Sequence, residues 1–502
     1  MKKILINEEP WQTRVAIAQD EKLQNIYFWS HAGNVLEKAF YQALVTKVLP
    51  GIQTAFVDIG QEKAGFLHIS EIDRELAISR MSQNFAGFES NEKQERRPRQ
   101  SADIAKILKE GELLLVQVSK EPVNEKGAKL TTCFTLPGRF VVLMPSIPRV
   151  GISKKIEERE ERNRLRDVVS SHLPEGMGAI IRTSSEHRTS EEIGQDIKFL
   201  VRTWNEILEK QKTAQVGEKI HEDLPLPLQA VRDHLDSDVE EVIVDSKELQ
   251  RHVAEFVKEM APEFSDKIKL YTGKTQLFER YNIEHQIKES LKSKVELRSG
   301  GSIVIEATEA MTVVDVNTGR FVGRSNMEDT ILKTNLEAAE EVTRQLKIRN
   351  IGGLIVIDFI DMASGSNRQK LFRFFEKTLK EQDKFQSVLL KISEFGLVQM
   401  TRKRSGKTLM KELTDTCKMC AGSGVLPSVR AESYALLRHL KEELLNKKIQ
   451  GNITIKLSPE VFDYISTTEY TTLFDFEKEL NGKITLELEK SLSIGAFKIV
   501  KA

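Results

Sequence analysis

Cysteine is nearly absent, with three in 502 residues. A chain of this length with so few thiols is no disulfide scaffold, so burial must hold it together. An excess of one charge is also missing: Lys plus Arg and Asp plus Glu number 75 each. The molecule as a whole does not attract a polyanion, and any basic surface must be local. Long apolar runs are lacking too. No 18-residue apolar window occurs, so no transmembrane segment is expected. The start, MKKILINEEPWQ, has no apolar core for a signal peptide, and a cytoplasmic location is the expectation. What is present is ordinary globular composition, 40% hydrophobic and 30% charged. The length exceeds what one core supports and suggests roughly three or four domains.

Residues 1–34 alternate apolar and polar in KILINEE, TRVAIAQD and QNIYFWS, which predicts two or three strands. Residues 35–132 continue as short strands broken by Pro-Gly and Gly turns, the pattern of a small barrel. A polar insert, about 80–104, carries NEKQERRPRQ and reads as a solvated loop or an electrostatic guide for RNA. Residues 133–227 mix strands (GRFVVLMP, GAIIRTS) with charged helices. The Pro-rich DLPLPLQAV marks a boundary. Residues 228–290 alternate strand and helix and are able to complete the sheet begun by residues 1–34. The barrel and its neighbour would then be one long insertion.

Residues 291–412 hold two short apolar strands that each reach a carboxylate, MTVVDVN at Asp315 and LIVIDFID at Asp358. Between them MEDTILKTNLEAAEEVTRQLKIRN has apolar residues at spacings of three and four, the period of a helix. A strand–helix–strand unit of this length allows parallel pairing, which puts both aspartates at the same sheet edge, where ligands of α/β sheets bind. Two carboxylates there are able to share Mg²⁺, a hard ion that keeps several waters. Asn317, two residues after Asp315, falls on the same face of an extended strand. Such a set suits phosphodiester cleavage. Asp361 is expected to face away from Asp358, as a cap or a supporting group. In TCKMCAGSG, Cys417 and Cys420 offer two of the four ligands structural zinc requires. No second C-x-x-C exists and Cys133 stands alone. A Gly-rich turn after the pair favours a metal knuckle over a redox dithiol, and two chains about a two-fold axis would complete it.

The stretches MTVVDVNTGR, TNLEAAEEVTRQLKIRNIGGLIVIDFIDM and EFGLVQMTRKR resemble the ribonuclease E/G family, and the similarity runs to Ala502. The resemblance implies a multidomain α/β protein: an RNase H-like region (1–34 and 228–290) split by an S1-like OB β-barrel (35–132) and a 5′-sensor region (133–227). A DNase I-like catalytic region (291–412), a zinc link (413–424) and a small C-terminal domain (425–502) follow. It implies an endoribonuclease in which Asp315 and Asp358 bind Mg²⁺ and Asn317 positions the hydrated ion. Its substrates would be single-stranded A/U-rich RNA, including rRNA precursors and mRNA, cut to 5′-phosphate and 3′-hydroxyl ends. Zn²⁺ on Cys417 and Cys420 would link a homodimer, with a tetramer as a further level. Ending at GAFKIVKA, the chain is expected to fall in the branch without a long disordered tail.

By the same resemblance Phe56, Phe66 and Lys126 match RNA-binding positions. Arg182, Thr183, Gly138, Val142 and Lys154 match the pocket that reads a 5′-monophosphate, and a guanidinium with a hydroxyl suits that group. The chain departs from the pattern at Gln42-Ala43, where Lys-Gly is usual, at Lys154, where arginine is common, and at Gln386, which is uncharged; Lys384 is near enough to substitute. Arg402-Lys403-Arg404 is expected to add local positive charge. A non-catalytic RNA-binding factor would use the same barrel but needs no acidic cluster. A deoxyribonuclease or phosphatase would not be separated from a ribonuclease by the carboxylates alone.

Overall fold

The computed structural model describes residues 1–31, 36–73, 103–122, 127–318, 327–393, 396–404, 406–446, 449–492 and 495–501, with backbone only at Lys501. Lys126 and residues 80–102 of the polar insert lie outside the described residues. The chain forms two contact units, Met1–Met410 and Lys411–Ala502. Among the described residues no helix is long and apolar enough to cross a membrane.

The alternation at the start becomes three antiparallel strands, Lys2–Glu9, Gln12–Gln19 and Lys22–Ser30. Asp20 and Glu21, both at positive φ, make the tight turn that twisted hairpins favour. Val239–Val244 pairs parallel to Lys2–Glu9, and Ile268–Leu270 follows it, giving a five-stranded sheet. Ile4, Ile6, Val15 and Ile17 bury one face against Leu249, Val253 and Val257 of the helix Lys247–Met260. Ser246 caps that helix by accepting from Leu249 N. The Pro-rich boundary is itself helical, over Leu226–His234. Proline fits the first turn of a helix, where its missing N–H has no partner to lose.

Between these strands sit two other layers. Phe40–Leu49, Thr54–Asp58, Gly65–His68, Leu113–Lys120 and Lys129–Thr131 close into a five-stranded barrel through pairing of its first strand with Leu113–Lys120. Val45, Ala55, Val57, Leu67, Val116 and Leu130 fill its interior. Gln42 and Ala43 are buried in the first strand, so this departure from the family pattern alters barrel packing rather than an exposed surface. Beyond the barrel, Leu136–Pro137, Val141–Met144, Gly178–Ile181 and Val150–Ile152 form a four-stranded sheet. It packs on the helices Arg159–His172 and Ser190–Thr213, the latter opened by a Thr189/Glu192 capping box.

Residues 294–402 build a six-stranded mixed sheet in the order Lys294–Glu296, Ser302–Ala307, Met311–Asn317, Gly353–Asp358, Leu397–Arg402, Ser387–Leu389. Met311–Asn317 and Gly353–Asp358 are parallel, joined by the helix Met327–Ile348. That helix and Gly365–Gln382 cover one face through Ala339, Val342, Leu346, Leu371 and Phe375. Arg402 corrects the expected basic surface. It is 2% exposed and grips Asp383 with Nε to Oδ2 at 2.6 Å and Nη2 to Oδ1 at 3.0 Å. Phe385 lies against its guanidinium.

The second unit has a three-stranded sheet with Ile453–Leu457 central, parallel to Ile484–Leu488 and antiparallel to Phe497–Lys501. The helices Val429–Leu445, Pro459–Thr468 and Tyr470–Leu480 pack on it through Leu436, Leu440, Ile465, Phe476 and Leu480.

Candidate functional site

In the strand Met311–Asn317 the buried residues are Thr312, Val314 and Val316; Asp315 and Asn317 project from the other, exposed face. Gly353–Asp358 alternates in the same sense, burying Ile355 and Ile357 and exposing Asp358. Asp315 and Asp358 are direct register partners. The strands are therefore buried on one face only, and the carboxylates stand on the open one. Burial, then Asp315, then Asp361 push the Asp358 carboxyl above its usual range.

Asn317 Nδ2 donates to Asp315 Oδ2 at 2.7 Å. A cavity of about 290 Å³ is lined by Asp315, Asn317, Thr318, Asp358, Phe359 and Asp361. Asp361 thus shares the cavity and acts on Asp358, against the expectation that it turns away. The sequence reading missed Asn335. It is fully buried on the crossover helix; its Nδ2 donates to Ile360 O at 2.8 Å and its Oδ1 accepts from Ile360 N at 3.0 Å. This amide clamps the loop that carries Asp361. The signal was a lone Asn among apolar positions of a helix. Among the described residues no three His, Cys, Asp or Glu side chains converge as a metal-binding group. Two oxygen-bearing side chains plus waters are nevertheless an ordinary set for Mg²⁺.

On the barrel, Phe56 and Phe66 are register partners on neighbouring strands. Phe56 is 37% exposed and Phe66 half-buried, whereas Ala55, Val57 and Leu67 turn inward. The row extends to exposed Lys47 opposite Phe56 and to Lys129 opposite Phe66. Lys129 is paired with Glu71. Two adjacent rings flanked by cations form a surface on which bases can stack.

The sensor candidates gather on the four-stranded sheet. Gly138 lies between two of its strands, Val142 pairs with Ile180, and Arg182 follows Gly178–Ile181. Thr183 Oγ1 is 3.2 Å from Ser153 Oγ, next to exposed Lys154. The turn at Gly138 is held by buried Asp196, which accepts from Arg139 N, Phe140 N and Val141 N at 2.9–3.1 Å. A Cβ at Gly138 would come within 2.5 Å of Asp196 Oδ2, so only glycine fits. Arg182 donates to Gly138 O and pairs with Asp233 at 2.9 Å. Lys384 also reaches this cluster, with Nζ on Asp233 O. Gln386 instead pairs its backbone carbonyl with Lys403 N.

Cys417 is exposed and Cys420 half-buried, both as free thiols. Backbone N–H groups of Gly424 and Gly422, then Cys417, hold the Cys420 thiol below its ordinary value. Gly422 and Gly424 sit at positive φ, which lets the turn aim those amides at sulfur. The pair lies in this turn, and the next helix begins only at Val429.

Two family models and several curated relatives match the chain. The model of the ribonuclease E/G family matches residues 135–405, and that of the RNase E/G thioredoxin-like domain matches 416–502. Ribonuclease G of Escherichia coli (strain K12) is 36% identical over 99% of both chains. Ribonuclease G of Haemophilus influenzae is 36% identical over a similar span, and its ribonuclease E is 34% identical over all of this chain and 52% of that protein. The chain belongs to the ribonuclease E/G family.

Proposed function

We propose that this chain is a Mg²⁺-dependent endoribonuclease that cuts single-stranded A/U-rich RNA to 5′-phosphate and 3′-hydroxyl ends and is stimulated by a 5′-monophosphate. The observation that carries the reading is the register pairing of Asp315 with Asp358, with Asn317 on the same exposed face. The donor set fits the ion: two hard carboxylates side by side, one with its proton affinity raised by burial and then by the other's charge. Asp315 and Asp358 would hold Mg²⁺, which when bound supplies Lewis acidity and an activated water. Asn317 orients Asp315 through its 2.7 Å hydrogen bond and adds no charge beside the phosphate. Asp361, which lines the same cavity, would accept a hydrogen bond from that activated water.

Residues on the barrel and the four-stranded sheet extend the same reading. Phe56 and Phe66 stack bases and present the strand, with Lys126 contributing charge. Arg182 and Thr183 receive the terminal phosphate, with Gly138, Val142 and Lys154 around the end nucleotide. Ribosomal RNA precursors and mRNA are the substrates proposed. The five-part architecture of RNase H-like, OB, sensor, DNase I-like and C-terminal regions is proposed with it. So is a homodimer joined by Zn²⁺ on Cys417 and Cys420, with a tetramer as the next level.

The test is cleavage of a 5′-monophosphorylated single-stranded RNA with Mg²⁺. Wild type cuts it and leaves 3′-hydroxyl ends, a DNA oligonucleotide of the same sequence survives, and Asp315→Asn loses several orders of magnitude. Activity near wild type in Asp315→Asn would sink the assignment.

A further inference from the structure

Arg182, the residue read above as the phosphate contact, already holds an anion. Its Nη1 donates to Asp233 Oδ1 at 2.9 Å and to Gly138 O. Its Nε and Nη2 make no hydrogen bond among the described residues. Asp233 lies near the end of the helix Leu226–His234, on a segment distant in sequence from the sensor sheet. A second arginine grips it as well: Arg232 Nε is 3.0 Å from Oδ1 and Nη2 is 3.3 Å from Oδ2. Lys384 adds a third cation on the Asp233 backbone carbonyl.

This arrangement has the composition of an anion seat: two guanidiniums on one carboxylate, with the Lys384 ammonium on the same residue's backbone carbonyl. A carboxylate brings one negative charge. A phosphomonoester end brings about −1.5 to −2 at neutral pH and three acceptor oxygens. The end therefore outbids Asp233 for the Arg182 fork, whereas a 5′-hydroxyl brings nothing with which to compete. Release of Arg182 does not orphan Asp233, because Arg232 remains bound to it. Arg232 in turn keeps Pro137 O at 3.0 Å and Asp223 at 3.4 Å. The exchange is thus between two satisfied states, as a reversible lock requires.

We propose that Asp233 is a built-in competitor for the 5′-phosphate at Arg182 and sets how strongly this chain prefers a phosphorylated end. The proposal rests on the sensor reading of Arg182. Its rival is that Asp233 merely orients Arg182 for the phosphate. The two predict opposite signs when the charge of Asp233 is removed without changing its shape.

The experiment measures binding of the full chain to a 2′-O-methyl oligoribonucleotide carrying either a 5′-monophosphate or a 5′-hydroxyl, by fluorescence anisotropy without cleavage. The readout is the ratio of the two Kd values. Asp233→Asn should raise the preference for the phosphorylated end by about twofold to fivefold, the range of a partly exposed ion pair. Arg182→Ala and the double variant should both abolish the preference. Asp233→Ser serves if Asp233→Asn folds poorly, since Arg232 retains its other partners. A wild-type preference that Arg182→Ala abolishes but Asp233→Asn leaves unchanged or weakens overturns the competitor and leaves the sensor standing. A wild type with no preference, or one untouched by Arg182→Ala, overturns the sensor and the competitor with it.

Discussion

Single side chains decide whether the carboxylate cavity keeps its shape. Asp315 and Asp358 ride on paired strands, and Asn317 steadies Asp315. Asp361 stands on the loop beyond Asp358, and that loop is fixed by one buried amide. Asn335 uses both ends of its side chain on Ile360, donor to carbonyl and acceptor from N–H. Truncation leaves two buried backbone groups without partners. Asn335→Ala should cost about 1–3 kcal/mol and lower cleavage as Asp361 loses its position. Asn335→Asp sets a carboxylate oxygen against the Ile360 carbonyl in a fully buried position, so it should cost at least as much as Ala. Urea denaturation beside single-turnover cleavage checks both, and wild-type behaviour in Asn335→Ala would remove the clamp from the argument. Sequence legibility divides along the same line. Asp315, Asn317 and Asp358 were readable because strand period fixes which side chains share a face. Asp361, Asn335 and Arg402 were not, because a loop's direction and a buried arginine's partner, here Asp383, come from distant parts of the chain.

Elements were legible where their period was long and uninterrupted. The helix Met327–Ile348 and the helix Lys247–Met260 follow their apolar spacing closely. The Pro-rich segment was not, since proline at a helix start and proline at a linker look alike in sequence. Nor does periodicity say what a helix end touches. The last turns of Met327–Ile348 dock on the strand Lys22–Ser30: Arg344 Nη1 reaches Leu23 O at 3.1 Å and Lys347 Nζ reaches Gln24 Oε1 at 2.9 Å. Burial pushes Lys347 down to about 8 from the ordinary 10.5; Asp383 opposes this, and Arg344, Arg402 and Lys2 add to it. The unfolded chain therefore binds the extra proton more tightly between those two values. Stability should rise with pH from about 8 to 10.5. Lys347→Met should flatten that rise, measured as urea midpoints at the two ends of the window. An unaltered slope would mean that Lys347 is solvated and that the docking is looser than its hydrogen bond suggests.

At the scale of the whole molecule the open question is what completes the two-cysteine turn. The family model over residues 416–502 is named thioredoxin-like, and a redox pair of that kind opens a helix, where the N-terminus lowers the thiol pKa. Cys417 and Cys420 do not open one. Cys420 is lowered instead by the amides of a glycine turn, the local geometry that suits a metal-bound thiolate. Two thiolates are half of a structural zinc site. Cys133 is on the other contact unit, among barrel and sensor-sheet strands, where burial raises its thiol. A second copy of the same turn is the economical source of the missing ligands, through a two-fold axis. The purified protein should carry one zinc per two chains and run as a dimer or a multiple of one. Cys417→Ser/Cys420→Ser should lose the metal and shift to lower mass by light scattering, and a strong chelator should do the same to wild type. Cleavage per active site should change less than mass, because Asp315 and Asp358 belong to the other contact unit. A double variant that retains both zinc and mass would show that the ligands lie elsewhere and that this turn joins nothing.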